Sequence, residues 1–168
     1  MKKSYSFLLS SIFLLSISSP SFSKVELIQE AQVKQNKLTS YIREHRVKSV
    51  EIIWINPTTE FRQTVSPMDI EKLFDRKLII RRLWGDALEK SLLAAIKSTT
   101  FFKPDDKFEI DIRWGVKFFD EKSDVPIASI FVDGSGELGM IDGTPVAMRG
   151  DFYQWLDRNF SKTFKMGN

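Results

Sequence analysis

From Phe108 to Phe118 the chain alternates without a break. Phe108, Ile110, Ile112, Trp114, Val116 and Phe118 interleave with Glu109, Asp111, Arg113, Gly115 and Lys117. Successive side chains of a strand point to opposite faces, so this pattern predicts one wholly apolar face and one polar face. A strand covered on both sides reads as a continuous apolar run instead. The segment therefore predicts an antiparallel sheet with one face on the core and the other open to solvent.

The residues after it extend that sheet. Asp120 to Asp124 forms a turn, Ile127 to Val132 a return strand, and Asp133-Gly134-Ser135-Gly136 a second turn. Glu137 to Ile141 and Thr144 to Met148 are strands joined by Asp142-Gly143, a tight hairpin signal. Residues 108–148 thus read as a meander. Gly150-Asp151 opens a C-terminal helix over 150–160, with Phe152, Trp155, Leu156 and Phe160 on one stripe that suits the apolar face of the meander.

The half before it mixes types. Residues 24–46 carry Leu27, Ile28, Ala31, Leu38, Tyr41 and Ile42 at helical spacing, although Gln29 to Lys37 is polar enough to fray. Residues 48–100 form a β/α segment. Val50 to Ile55 is a strand ended by Asn56-Pro57, and Glu60 to Val65 is a second short strand. Ser66-Pro67-Met68-Asp69 starts a short helix with Ser66 as N-cap and Pro67 at the first helical position. Leu78 to Leu83 is a strand whose two arginines suit a sheet edge or a face open to solvent. Gly85-Asp86 begins the clearest helix, running to about Ser98 with Leu88, Leu92, Leu93 and Ile96 as its stripe. Lys103-Pro104-Asp105-Asp106 is a turn. The expected fold is a single α+β domain over 24–168, an antiparallel β-meander sheet packed by two to four helices on one face.

Residues 1–23 are read separately. Lys2 and Lys3 precede an apolar run from Phe7 to Ile17, Pro20 breaks it, and Ser21-Phe22-Ser23 supplies small residues for cleavage before Lys24. This is the layout of a secretory signal peptide, and the run is shorter than the roughly 20 residues a spanning helix needs. The expected location is the bacterial periplasm or the exterior, with cleavage after Ser23. Losing Lys2 and Lys3 lowers the 25 basic residues to 23 against 22 acidic ones, a net charge of +1. A near-neutral exported domain has no electrostatic claim on nucleic acid, and membrane insertion after signal removal is not expected. The chain has no cysteine, which removes disulfides, thiol catalysis and cysteine–metal sites, so it must fold by packing alone. Trp54, Trp84, Trp114 and Trp155 help, since aromatic side chains each bury roughly 150–250 Å².

Candidate sites are few. His45 is the only histidine and sits in Arg43-Glu44-His45-Arg46, a charged helix end, without a Gly-x-Ser-x-Gly elbow elsewhere. Glu109 and Asp111, two apart on one strand, are weak candidates for an acid–base pair acting on a glycan; with Arg113 and Lys117 they equally form a solvated charge ladder. Asp133-Gly134-Ser135-Gly136-Glu137 offers oxygen atoms to a calcium ion but lacks the remaining ligands of a twelve-residue loop, and reads as a turn. Gly134, Gly136, Gly139 and Gly143 lie between strands and do not form a phosphate cradle. Trp114, Phe119, Phe131 and Trp155 suit the core; Phe119 alone falls on the polar face and is expected to be exposed beside Arg113 and Lys117. Aromatic and arginine residues together mark interfaces. The partner-binding candidates are therefore Arg81, Arg82, Trp84, Arg113, Lys117 and Phe119. No cofactor and no metal is expected.

These observations favour an exported, non-enzymatic binding protein with a protein partner, in its narrower form an inhibitor or immunity protein against a cell-envelope hydrolase. The alternatives are a small secreted glycan or peptidoglycan hydrolase using acidic residues, and an envelope structural or assembly factor.

Overall fold

The structure is a computed structural model that describes residues 29–55, 79–83, 85–105 and 108–165. Among these residues lie the helices α1 (Gln29–Arg43), α2 (Asp86–Ser98) and α3 (Phe152–Lys165). The strands are β1 (Ser49–Trp54), β2 (Ile79–Leu83), β3 (Thr100–Phe102), β4 (Ile112–Phe119), β5 (Ala128–Asp133), β6 (Leu138–Ile141) and β7 (Thr144–Arg149). The expected signal peptide at 1–23, the start of the first helix, the strand at 60–65, the helix from Ser66 and Trp84 lie outside the described residues.

The strands form one sheet in the order β2-β1-β4-β5-β6-β7-β3, and every neighbouring pair is antiparallel. The meander expected from residues 108–148 is its centre, β4 to β7. Asp142 and Gly143 turn β6 into β7 with φ of 45° and 78°, the two positive values that a type I′ hairpin requires. Among the described residues β2 is at one end of this order, one of the two placements, an edge or a solvent-open face, that its arginines suggested. β3, absent from the expected elements, pairs with β7 at the other end among the described residues. The chain passes from one edge to the other through α2, which packs between α1 and α3.

All three helices lie on one face. Leu38 and Ile42 of α1, Leu92 and Ile96 of α2, and Phe152, Trp155, Leu156 and Phe160 of α3 join Ile52, Val116, Phe118, Ile130 and Ile141 of the sheet in one buried cluster. The stripes expected for α2 and α3 are the ones that pack. The single α+β domain with helices on one face is thus the observed architecture.

The other face differs from expectation. Ile53, Ile55, Ile110, Ile112, Phe131 and Met140 form a second buried cluster there, with Phe108 and Leu138 packed against it. The sheet thus carries a second apolar layer on this side, beside the charged pair Glu51 and Lys117. Two of the cluster's residues reach it through a bulge: β4 pairs Ile112 with Asp133 and Trp114 with Val132, and the register shifts between them. One extra residue rotates the chain, so Ile110 and Ile112 leave the face that carries Trp114, Val116 and Phe118. The regular strand begins at Ile112, not at Phe108. Opposite Gly115, the Phe131 ring lies where a side chain would stand, 2.8 Å from an added Cβ.

Candidate functional site

The second apolar layer reaches the β3 edge and there becomes a cleft. Leu138, Ala147 and Phe102 stand side by side across β6, β7 and β3. Beyond Phe102, Lys103-Pro104 ends the strand, because proline has no N–H to continue the ladder. Pro104 and Phe108 then form a wall over that row, enclosing an open cleft of about 420 Å³. This falls within the range of about 300–1,000 Å³ usual for ligand sites.

The rim is charged with both signs. Lys103, Asp105, Glu137 and Arg149 line the cleft, and all four are exposed. Among the described residues none of the four forms an ion pair. Arg149 instead holds its guanidinium 5.6 Å from the Phe102 ring centre, a cation–π contact that keeps it at the mouth. The β6–β7 side is fixed by the Met148 N–H, which donates to the Glu137 carbonyl at 2.7 Å.

The residues singled out in the sequence lie elsewhere. Glu109 and Asp111 flank buried Ile110 and are themselves exposed. Asp111 accepts from Arg113 at 2.7 and 2.8 Å, and Arg113 is largely buried, its side chain 11% exposed. Arg82 of β2, Glu51 of β1 and Lys117 of β4 are successive register partners across the three strands. Arg81 pairs with Ile52. Phe119 corrects the expectation of an exposed aromatic: it is 4% exposed. Trp114, Phe131 and Trp155 are buried as expected.

His45 ends α1 in a Schellman arrangement. Its N–H donates to Ile42 O at 3.0 Å, the Arg46 N–H donates to Tyr41 O at 2.9 Å, and His45 takes φ 55° where glycine is usual. Its Nδ1 lies 3.3 Å from Glu89 Oε1 of α2. This is a helix terminus, in keeping with its sequence context. Asp133 likewise spends its carboxylate on its own turn, accepting from the N–H groups of Gly136, Glu137 and Leu138 at 2.7, 3.1 and 3.2 Å and from Ser135 Oγ at 2.7 Å. Among the described residues no three acidic or histidine side chains are grouped to hold a metal ion, and no helix is long and apolar enough to cross a membrane.

Sequence reasoning missed the cleft residues Phe102, Lys103, Asp105, Glu137 and Arg149. The available signal was Thr100-Phe101-Phe102, a β-branched and aromatic run just before the Lys103-Pro104 turn. Compared with protein-family models, curated proteins and solved structures, the chain has no match.

Proposed function

We propose that the chain is an exported, non-enzymatic binding protein that holds a protein partner in the bacterial envelope. Its narrower form is an inhibitor or immunity protein directed at a cell-envelope hydrolase. The observation that carries this reading is the cleft at the β3 edge, with its apolar floor and its exposed cations and anions that pair with no described residue. Such a site offers apolar contact and charge complementarity, the elements of an interface. Export rests on the layout of residues 1–23. A hydrolase would need a desolvated carboxyl to act as general acid; Glu109 and Asp111 are exposed, and Asp111 is already held by Arg113.

The test is affinity capture of a tagged chain, expressed with its own N-terminus, from the periplasm after brief crosslinking. A reproducible stoichiometric partner is expected, lost on charge reversal at Lys103 and Arg149. Recovery of background proteins alone would remove the binding reading. N-terminal sequencing of the exported protein is expected to begin at Lys24, and full-length chain retained in the cytoplasm would remove the periplasmic placement.

A further inference from the structure

We propose that the partner enters as an extended polypeptide segment that adds along the outer side of β3 and sets one large apolar side chain into the cleft. An acidic residue of that segment faces Lys103 and Arg149, and a basic one faces Asp105 and Glu137. This rests on the binding reading above and gives it a mode.

Three observations converge. β3 is the last strand of the sheet among the described residues, so it has a described neighbour, β7, on one side only. A sheet edge presents backbone N–H and C=O groups that accept another extended chain, and strand addition uses them for affinity while pockets read alternate side chains. The cleft begins at the last residue of that edge, Phe102, and its floor continues through Ala147 and Leu138. A side chain projecting from an added strand on this face therefore has an apolar seat beside it. The rim sets the chemistry of the flanks. Asp105 and Glu137 would repel a polyanion, and an uncharged glycan would leave all four rim charges without partners. A polypeptide carries both signs and an apolar group within a few residues.

The experiment pans a phage-displayed library of random decapeptides against the protein purified from the envelope fraction of expressing cells. Enriched sequences are expected to carry a large apolar residue flanked by one acidic and one basic residue. For a synthetic consensus peptide, Lys103→Glu and Glu137→Lys should each weaken binding by about 3- to 30-fold, the scale of rim charges in interfaces. Lys122→Glu, in the exposed turn after β4, should leave it unchanged. N-methylation of the peptide amides should weaken binding at every second position, as hydrogen bonding along one strand edge requires.

Enriched peptides without the charge pattern, affinity indifferent to rim reversal, or equal tolerance of N-methylation at all positions would each overturn the proposal. Envelope capture that yields a partner while no peptide is enriched overturns this mode and leaves the binding reading standing. Failure of both removes the binding reading as well.

Discussion

Gln35 is a polar residue on the buried side of α1, 4% exposed among Ala31, Leu38 and Ile42. Burial of an amide is tolerated only where its hydrogen bonds are made. Its Nε2 donates to Ile96 O at 2.6 Å and to Thr99 O at 2.7 Å, at the end of α2, where Ile96 O also accepts the Thr99 N–H at 3.2 Å. Thr99 continues the junction: its Oγ1 donates to Ala95 O at 2.9 Å and accepts from the Phe152 N–H at 3.3 Å, at the start of α3. One glutamine thus ties the first helix to the meeting point of the other two. Gln35→Leu keeps the bulk and removes both hydrogen bonds, so it should cost about 1–3 kcal/mol, the scale of lost buried hydrogen bonds. Urea unfolding measures it, and an unchanged midpoint would show that water or a rearranged loop replaces the amide. The spacing of α1 puts Gln35 on the stripe of Ala31, Leu38 and Ile42, but it does not reveal the acceptors that make a polar residue acceptable there. The partner lies 61 residues away in sequence.

The β6–β7 hairpin shows what a turn gains from its surroundings. Asp142 Oδ1 accepts the Ser129 N–H at 2.6 Å, while its backbone carbonyl accepts Lys34 Nζ at 3.0 Å. Burial pushes the Asp142 carboxyl above its usual range, and the Ser129 hydrogen bond, Lys34 and Lys37 only partly oppose this. A carboxyl whose folded pKa is raised binds its proton more tightly when folded. Its contribution to stability is therefore fully present below the unfolded pKa, near 3.9, and is lost as pH rises through the higher folded value. Asp142→Asn keeps an acceptor and suits a type I′ turn before Gly143. The Tm of the variant should gain on that of the parent as pH rises from about 4 to 7; a parallel pair of curves would show that the ionised carboxylate costs nothing there. The hairpins, α2 and α3 were legible because local chemistry decides them: Asp142-Gly143, the helix stripes and the turn glycines point the same way. The β4 bulge was not, since an unbroken alternation says nothing about an extra residue that pairing with β5 inserts at Arg113. The signal for a covered second face lay instead in Ile52-Ile53-Trp54-Ile55 and Ile130-Phe131-Val132, runs apolar at every position. The cleft was illegible for the same reason, being assembled from β3, β6, β7 and the approach to β4.

At the scale of the molecule, one sheet holds two apolar layers, and its central strands belong to both. Gly115 marks how closely the second layer is packed: an added Cβ would stand 2.8 Å from two carbons of the Phe131 ring and 3.4 Å from the Ile53 Cβ. Gly115→Ala should therefore destabilise by about 1–3 kcal/mol through overpacking, read from the denaturation midpoint; a neutral result would mean that Phe131 has room to withdraw. The same layering sets a gradient of opening across the sheet. β4 and β5 have a strand on each side and a buried cluster on each face, so their amides should exchange only with global unfolding. β3 is three residues long, has one neighbouring strand among the described residues, and lies beside a cleft. Its amides should exchange by local opening, faster than those of β4 by a factor that shrinks as denaturant brings global unfolding into range. Binding of an extended segment along β3 should slow that exchange selectively, leaving β4 and β5 at their global rate. If β3 amides in the free protein are as slow as those of β4, its edge is already covered and strand addition there has no place to occur. Hydrogen exchange thus tests the architecture and the proposed mode of binding on one set of amides.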